Sequence, residues 1–354
     1  MTAAASTATE PAPPAAVPPF AVIPGWQVEQ VLRGREKQIV ELVEATYRLH
    51  GAGESVNPPS FFLRFPDRPL SRIIALPASL GGRMRVDGLK WISSFPENVA
   101  AGIPRASAVL ILNDHDTGYP FACLESSIIS ATRTAASAAL AADRLTRGRP
   151  RPARVGFIGV GLIARYIHTF LSGTGWSFDE IGVHDLSADS AAGFHDYLAK
   201  SGAAGRITMH DSAEQLIRSS DLVVFATVAA TPHVHELSWF DHNPVVLHVS
   251  LRDLSPDILL ASANIVDDID HCLTANTSPH LAEQLSGGRG FLTGTLDDVL
   301  AGRATVPIDR PVVFSPFGLG VLDLAVGKYV HDQVACSSGL HIIDDFFHEL
   351  RRYG

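Results

Sequence analysis

The chain has 354 residues, 46% of them hydrophobic and 18% charged, enough to build two domains with proper cores. Its formal charge of -9 removes the electrostatic case for a nucleic-acid partner, and no run of about 18 apolar residues offers a membrane span. Three cysteines, Cys123, Cys272 and Cys336, lie far apart with no CxxC spacing, which argues against a disulfide framework or a zinc site and fits a reducing cytoplasm.

Residues 1–22 read as a disordered tail. The stretch is rich in Ala, Pro and Thr, and it lacks the basic start and continuous apolar core of a signal peptide. A helical pattern covers 26–50 (Val31, Leu32, Ile39, Val40, Leu42, Val43, Tyr47) and stops at Asn57-Pro58-Pro59-Ser60. Strand-like runs follow at 61–65, 73–76, 89–92 and 108–113, separated by turn residues, and predict an antiparallel, half-exposed sheet in its own subdomain. Residues 125–145 read as one helix in which alanine dominates, so a close neighbour is expected. Gly148 and Pro150 mark a linker.

The stretch 154–185 carries the most specific signal. An apolar run (Val155, Phe157, Ile158) enters Gly159-Val160-Gly161-Leu162-Ile163-Ala164, a helix follows, and a second apolar run ends at Asp185. This is the order of a dinucleotide-binding unit. Gly159 permits the turn, Gly161 lets the backbone approach a pyrophosphate, and Ala164 allows close packing. Leu162 and Ile163 open a helix whose free N–H groups favour phosphate. Asp185 stands near the ~20-residue spacing of the acid that accepts from the ribose hydroxyls and repels a 2′-phosphate, so the cofactor is read as NAD. Thr227, Val228 and Ser250, at the ends of later apolar runs, complete the expected cofactor-binding set. Further alternation (helix 190–201, strand 207–209, helix 213–218, strands 222–227, 245–249 and 264–266) argues a doubly wound parallel sheet. Helices at 322–336 and 340–350 are expected to return to the first subdomain. The expected division is therefore a substrate-binding and dimerisation domain of 23–147 and 322–354 around a Rossmann domain of 148–321.

A hydride carrier calls for cations that hold an acidic substrate and for a group that moves a proton. Lys90 is flanked by Leu89 and Trp91 in an apolar strand. Arg133 lies mid-helix among small residues, and its planar fork suits a carboxylate. Arg64 is embedded among aromatics, with Arg72 and Arg85 as open alternatives for the second clamp. Asp253 follows the strand 245–249, where ligands bind in such sheets, and can accept a proton or simply cap a helix. His233 and His235 form an HxH without a third ligand, so no metal is expected. Glu125 reads as a helix-opening charge, and Ser315-Pro316-Phe317-Gly318 as a loop over the cofactor or a plain turn.

The segments VGFIGVGLIAR, KWISSFPENVAAGIP, ATRTAASAAL, FATVAATP, HVSLRDLSPD and SPFGLGVLDLAVGKYVHD together resemble the ornithine cyclodeaminase/mu-crystallin family, over nearly the whole chain after about residue 25. The long KWISSFP segment, FFLRFP upstream and SLRDLSPD downstream look most like its branch of N-(2-amino-2-carboxyethyl)-L-glutamate dehydrogenases. The resemblance implies a Rossmann domain inserted in an α+β substrate domain, a homodimer built through that domain's sheet, and a small amino-acid substrate. It assigns Lys90, Arg133 and Arg64 to substrate carboxylates and Asp253 to proton transfer. The implied reaction is NAD-dependent oxidative hydrolysis to L-2,3-diaminopropionate and 2-oxoglutarate, as used for siderophores or peptide antibiotics. Ornithine cyclodeamination, a related imine reductase or amino-acid dehydrogenase, and a non-catalytic nucleotide binder remain as alternatives. Cyclodeaminases typically read G-x-D at the aspartate, where this chain has Leu251-Arg252-Asp253. The added Arg252 suits a substrate with more carboxylates than ornithine.

Overall fold

Two eight-stranded sheets form the architecture, in a computed structural model that describes residues 18–348. The first contains β1 (Phe20–Ile23), β2 (Ser55–Val56), β3 (Phe61–Phe65), β4 (Arg68–Leu80), β5 (Val86–Ser94), β6 (Ala106–Asp114) and β7 (Pro120–Glu125). The second contains β8 (Arg154–Ile158), β9 (Glu180–His184), β10 (Arg206–Met209), β11 (Leu222–Phe225), β12 (Val245–His248), β13 (Ala263–Val266), β14 (Leu292–Thr295) and β15 (Val312–Ser315). A last strand, β16 (His341–Ile343), returns to the edge of the first sheet and pairs antiparallel with β1.

The second sheet runs β10-β9-β8-β11-β12-β15-β13-β14, and every pair in it is parallel. Strands β11, β12, β13 and β15 are buried at every position, as their mainly apolar runs require when helices cover both faces; His248, Asn264 and Ser315 are the polar exceptions. The order reverses between β8 and β11, which puts the ligand crevice at the carboxyl ends of those strands.

The first sheet is antiparallel apart from the β1–β7 pair. One face, carrying Leu76, Lys90 and Leu110, is covered by the helix Gly320–Cys336. On the opposite face Phe61, Ala75, Trp91 and Val109 form one row across four strands, with Phe61, Trp91 and Val109 exposed. The helix Ser127–Leu145 packs between the helices Glu36–Gly51 and Leu162–Gly173, which is why its inward positions are alanine.

Four expectations change. The tail does not extend to residue 22, because Phe20–Ile23 buries its apolar side chains as β1; residues 1–17 lie outside the described residues. The single helix over 26–50 is two, Gly25–Leu32 and Glu36–Gly51, parted where Gly34 takes a left-handed φ of 74°. The helix Ser127–Leu145 starts after Glu125, which ends β7. Residues 340–348 are not a helix, since Ile342 and Ile343 find partners in β1; the rest of the expected helix, 349–350, lies outside the described residues, as do 351–354.

Candidate active site

The carboxyl ends of the parallel strands gather the residues of the glycine-rich unit. Gly159 has φ 78°, and a Cβ there would sit 2.7 Å from the Thr227 nitrogen, so only glycine fits. At Gly161 a Cβ would meet nothing within 4 Å, so the space in front of this turn is open. Gly161 caps the helix Leu162–Gly173 with no side-chain hydrogen bond, which leaves the first-turn N–H groups available. Asp185 accepts from the Val160 N–H (2.9 Å) and from the Ser187 N–H (2.8 Å), which fixes its carboxylate at this mouth. Leu162, Leu186 and Val228 are exposed around it, an apolar rim suited to the faces of a dinucleotide's rings. The cradle fits the cofactor expected from the sequence.

On the first sheet Lys90 is 1% exposed, and its Nζ lies 2.6 Å from Asp323 Oδ2 and 3.3 Å from Ser130 Oγ. Arg133 Nε lies 3.3 Å from Asp323 Oδ1. Asp323, fully buried in the first turn of the helix Gly320–Cys336, therefore ties the two cations together. Burial pushes the Lys90 ammonium down to about 8, against the opposing pull of Asp323. The Ser315–Gly318 turn closes over Arg133. A Cβ at Gly318 would meet Arg133 Nη1 at 2.6 Å, and Asp267 holds the turn by accepting from the Phe317 and Gly318 N–H groups (2.9 and 2.6 Å).

Four arginines come within reach of one another's charge: Arg64 on β3, Arg72 on β4, Arg105 just before β6 and Arg252 in the loop after β12. Arg64 and Arg72 are register partners on β3 and β4, on the same face as Lys90. Arg105 donates to Ser94 Oγ (2.8 Å), and Ser94 is the register partner of Arg72. Arg252 is anchored by donating to the Ala275 carbonyl (2.9 Å). Burial lowers the Arg72 pKa, and the charges of Arg105, Arg252 and Arg64 lower it further. Burial likewise lowers Arg252, with Arg64 adding to it. None of the four pairs with an acidic side chain among the described residues, apart from the field of Asp253 on Arg252. Of the four, Arg64 lines a cavity of about 500 Å³, together with Asn57, Phe62, His271, Phe317 and the carboxylates of Asp268 and Asp270. A second cavity, of about 360 Å³ beside Trp176 and Tyr197, holds no cationic side chain. Arg85 is exposed and paired with Asp116, so it leaves the candidate set.

Asp253 is fully buried. Its Oδ1 accepts from Thr227 Oγ1 (2.5 Å) and His233 Nε2 (3.1 Å), and its Oδ2 accepts from Ser250 Oγ. His248 Nε2 lies 3.2 Å from Oδ2 and 3.1 Å from the Asp253 N–H, so its tautomer decides which of them it serves. Burial raises the carboxyl pKa, but hydrogen bonds from His233, His248 and Ser250 outweigh it and hold Asp253 below the usual carboxylate range. Thr227 and Ser250, expected at the cofactor, turn their hydroxyls to Asp253. Leu251 has a left-handed φ of 70°, a conformation that glycine adopts without strain, which accounts for the glycine in the G-x-D pattern. Glu125 caps the helix Ser127–Leu145 by accepting from the Ser127 and Ile128 N–H groups. His235 is exposed, and no three potential metal ligands cluster among the described residues.

Reasoning from sequence missed Asp323, Arg72 as part of a cluster, and Arg105. A lone acid among apolar residues in the DLAVG segment was the available signal for the first. The arginines show nothing until the strand register is known.

The profile of the ornithine cyclodeaminase/mu-crystallin family matches residues 26–338. The nodulation efficiency protein NfeD of Rhizobium meliloti is 31% identical over 297 residues, which cover 83% of this chain and 89% of that protein. The N-((2S)-2-amino-2-carboxyethyl)-L-glutamate dehydrogenase of Staphylococcus aureus is 27% identical over 321 residues, 86% of this chain and 93% of that one. An archaeal alanine dehydrogenase dimer with bound NAD shares the fold with a TM-score of 0.81 at 26% identity, over 92% of this chain and 99% of that one.

Proposed function

The chain belongs to the ornithine cyclodeaminase/mu-crystallin family, and from that premise we propose that it oxidatively hydrolyses N-(2-amino-2-carboxyethyl)-L-glutamate to L-2,3-diaminopropionate and 2-oxoglutarate. It is an NAD-dependent amino-acid dehydrogenase acting on a C–N bond. The observation that carries the substrate is the set Arg64, Arg72, Arg105 and Arg252, close enough for their charges to act on one another and without a salt bridge among the described residues, on the sheet face that also carries Lys90. Guanidinium groups gathered in this way repel one another and await an anion. A substrate with three carboxylates satisfies them. Ornithine carries one carboxylate and a side-chain ammonium, which the same arginines repel, so cyclodeamination is the weaker reading.

NAD, when bound, supplies the hydride acceptor. Lys90 and Arg133, held by Asp323, fix the α-carboxylate of the glutamate moiety next to the reacting amine. The four arginines take the other carboxylates and so orient the Cα hydrogen. The groups around Asp253 take up the proton that the amine loses, and water adds to the oxidised carbon. The product amine serves the assembly of a siderophore or peptide antibiotic.

The test is NADH absorbance with this substrate and, in parallel, with L-ornithine. NADH and 2-oxoglutarate in equal amounts with the first substrate alone are expected. Ammonia from ornithine without net NADH would overturn the reading. For the cofactor, Asp185→Asn is expected to weaken NAD binding about tenfold or more, the worth of a hydrogen bond to a charged group. NAD titration by fluorescence checks this, and an unchanged Kd would remove Asp185 from the ribose site.

A homodimer through the open face of the first sheet belongs to the same proposal. The exposed row of Phe61, Trp91 and Val109, with Leu63 beside it, is the kind of apolar patch that a partner covers. Three free cysteines among the described residues support a cytoplasmic setting, and no described helix is long and apolar enough to cross a membrane.

A further inference from the structure

The proton that leaves the substrate amine needs a base with a free lone pair, and Asp253 is poorly placed to be that base. An ionised carboxylate offers about four acceptor sites. Thr227, His233 and Ser250 occupy three of them, and His248 stands 3.2 Å from the same carboxylate. These donors favour the charged form, so the group resists protonation near neutral pH. A carboxylate filled by its own protein more often orients than reacts.

His233 has the complementary features. Its backbone N–H donates to the Asp253 carbonyl (2.9 Å), and its Nε2 lies 3.1 Å from Asp253 Oδ1, so main chain and side chain both dock on that residue. A parallel bridge between Val234 and Leu254 fixes the two loops together. With the proton on Nε2 and donated to Asp253, Nδ1 keeps its lone pair, and it has no hydrogen-bond partner among the described residues. The ring is 43% exposed, in the loop that follows β11 and docks on the Asp253 loop after β12. A carboxylate that fixes the tautomer and steadies the imidazolium is a recurrent way to make histidine a base.

We propose that His233 is the proton acceptor of the reaction and that Asp253 positions it. This rests on the oxidative reading above. The substrate's secondary ammonium gives one proton to His233 Nδ1. The freed nitrogen lone pair forms the C=N bond as the Cα–H bond breaks, and hydride passes to NAD⁺. Water adds to the carbon of the iminium. Both of its protons end on the departing nitrogen, the C–N bond breaks, and the products are an ammonium and a ketone. His233 then returns its proton to solvent, so one proton is released per NADH.

The experiment compares His233→Ala and His233→Gln with the wild-type chain in the NADH assay. Expected is a fall in kcat of ~10²–10⁴, the range for a lost general base, with KM and NAD affinity within about threefold. Added imidazole should restore turnover to His233→Ala, which a structural role would not allow. Turnover within about threefold of wild type, or a loss that imidazole leaves untouched, would overturn the assignment. Wild-type silence with this substrate would sink the substrate reading instead. In that event ¹⁵N NMR of histidine-labelled, NAD-loaded protein decides. The Nε2–H tautomer at His233, lost in Asp253→Asn, is the expected result, and an Nδ1–H tautomer would refute the proposal.

Discussion

Asp323→Asn is expected to destabilise the fold by about 3–5 kcal/mol, the usual cost of removing one partner from a buried ion pair. Lys90 is 1% exposed, and Asp323 Oδ2 at 2.6 Å is its only anionic contact among the described residues. Arg133, more exposed, keeps some contact with water, so the penalty falls on Lys90. Two controls make the cause visible. Lys90→Met in the same background should recover part of the loss, because an apolar side chain needs no counter-charge. The second control is pH. The Lys90 pKa in the folded chain is about 8, below its ordinary 10.5, so the folded state binds fewer protons than the unfolded state between those values. The cost of burying the charge is thus fully present below about pH 8 and is relieved as pH rises towards 10.5. Once Lys90 is neutral, its attraction to Asp323 is gone in the wild type as well. The gap between wild type and Asp323→Asn should therefore narrow above pH 8. Urea unfolding at pH 7 and pH 9.5 measures it; a loss under about 1 kcal/mol, or a gap that ignores pH, would mean that the pair is not what holds this corner.

What could be read from sequence followed from range. The glycine unit, Asp185 and the strand 61–65 depend on neighbours within a few dozen residues, and periodicity and turn chemistry report those. Lys90, Arg133 and Asp253 stood out because a charge in an apolar or small-residue context is costly unless it is used. Asp323 did not, because its partner is 233 positions away and an acid in a helix's first turn has a sufficient local explanation. The segment 340–350 shows why short apolar runs mislead. Leu340, Ile342 and Ile343 fit a helix or a strand, and the choice is made by β1, more than 300 residues earlier. Arg72 and Arg105 share the difficulty in another form. Alternation tells which face a strand residue takes, but only the register of β3, β4 and β5 brings Arg64, Arg72 and Ser94 into one row.

That row, with Arg252 close enough for its charge to act on Arg72, makes the second large prediction. Arg72→Met combined with Arg252→Met is expected to lower kcat/KM for the tricarboxylate by ~10²–10⁴, since each charge-assisted hydrogen bond to a carboxylate contributes ~1.5–3 kcal/mol. The loss should appear largely in KM, because these contacts hold parts of the substrate remote from the reacting carbon and are made equally before and during reaction. Stability should change little. The Arg72 side chain makes no hydrogen bond to the described residues and sits among like charges, so its removal relieves repulsion, while Arg252 gives up its contact with the Ala275 carbonyl and the attraction of Asp253. NAD affinity should also hold, as neither residue lies at the glycine turn or at Asp185. Added salt should weaken wild-type binding of the substrate more than that of the double variant, since fewer ionic contacts remain to be screened. A double variant that keeps its kcat/KM within about threefold would show that the arginines answer to some other anion, and the substrate would then have to be sought among smaller amino acids held by Lys90 and Arg133 alone.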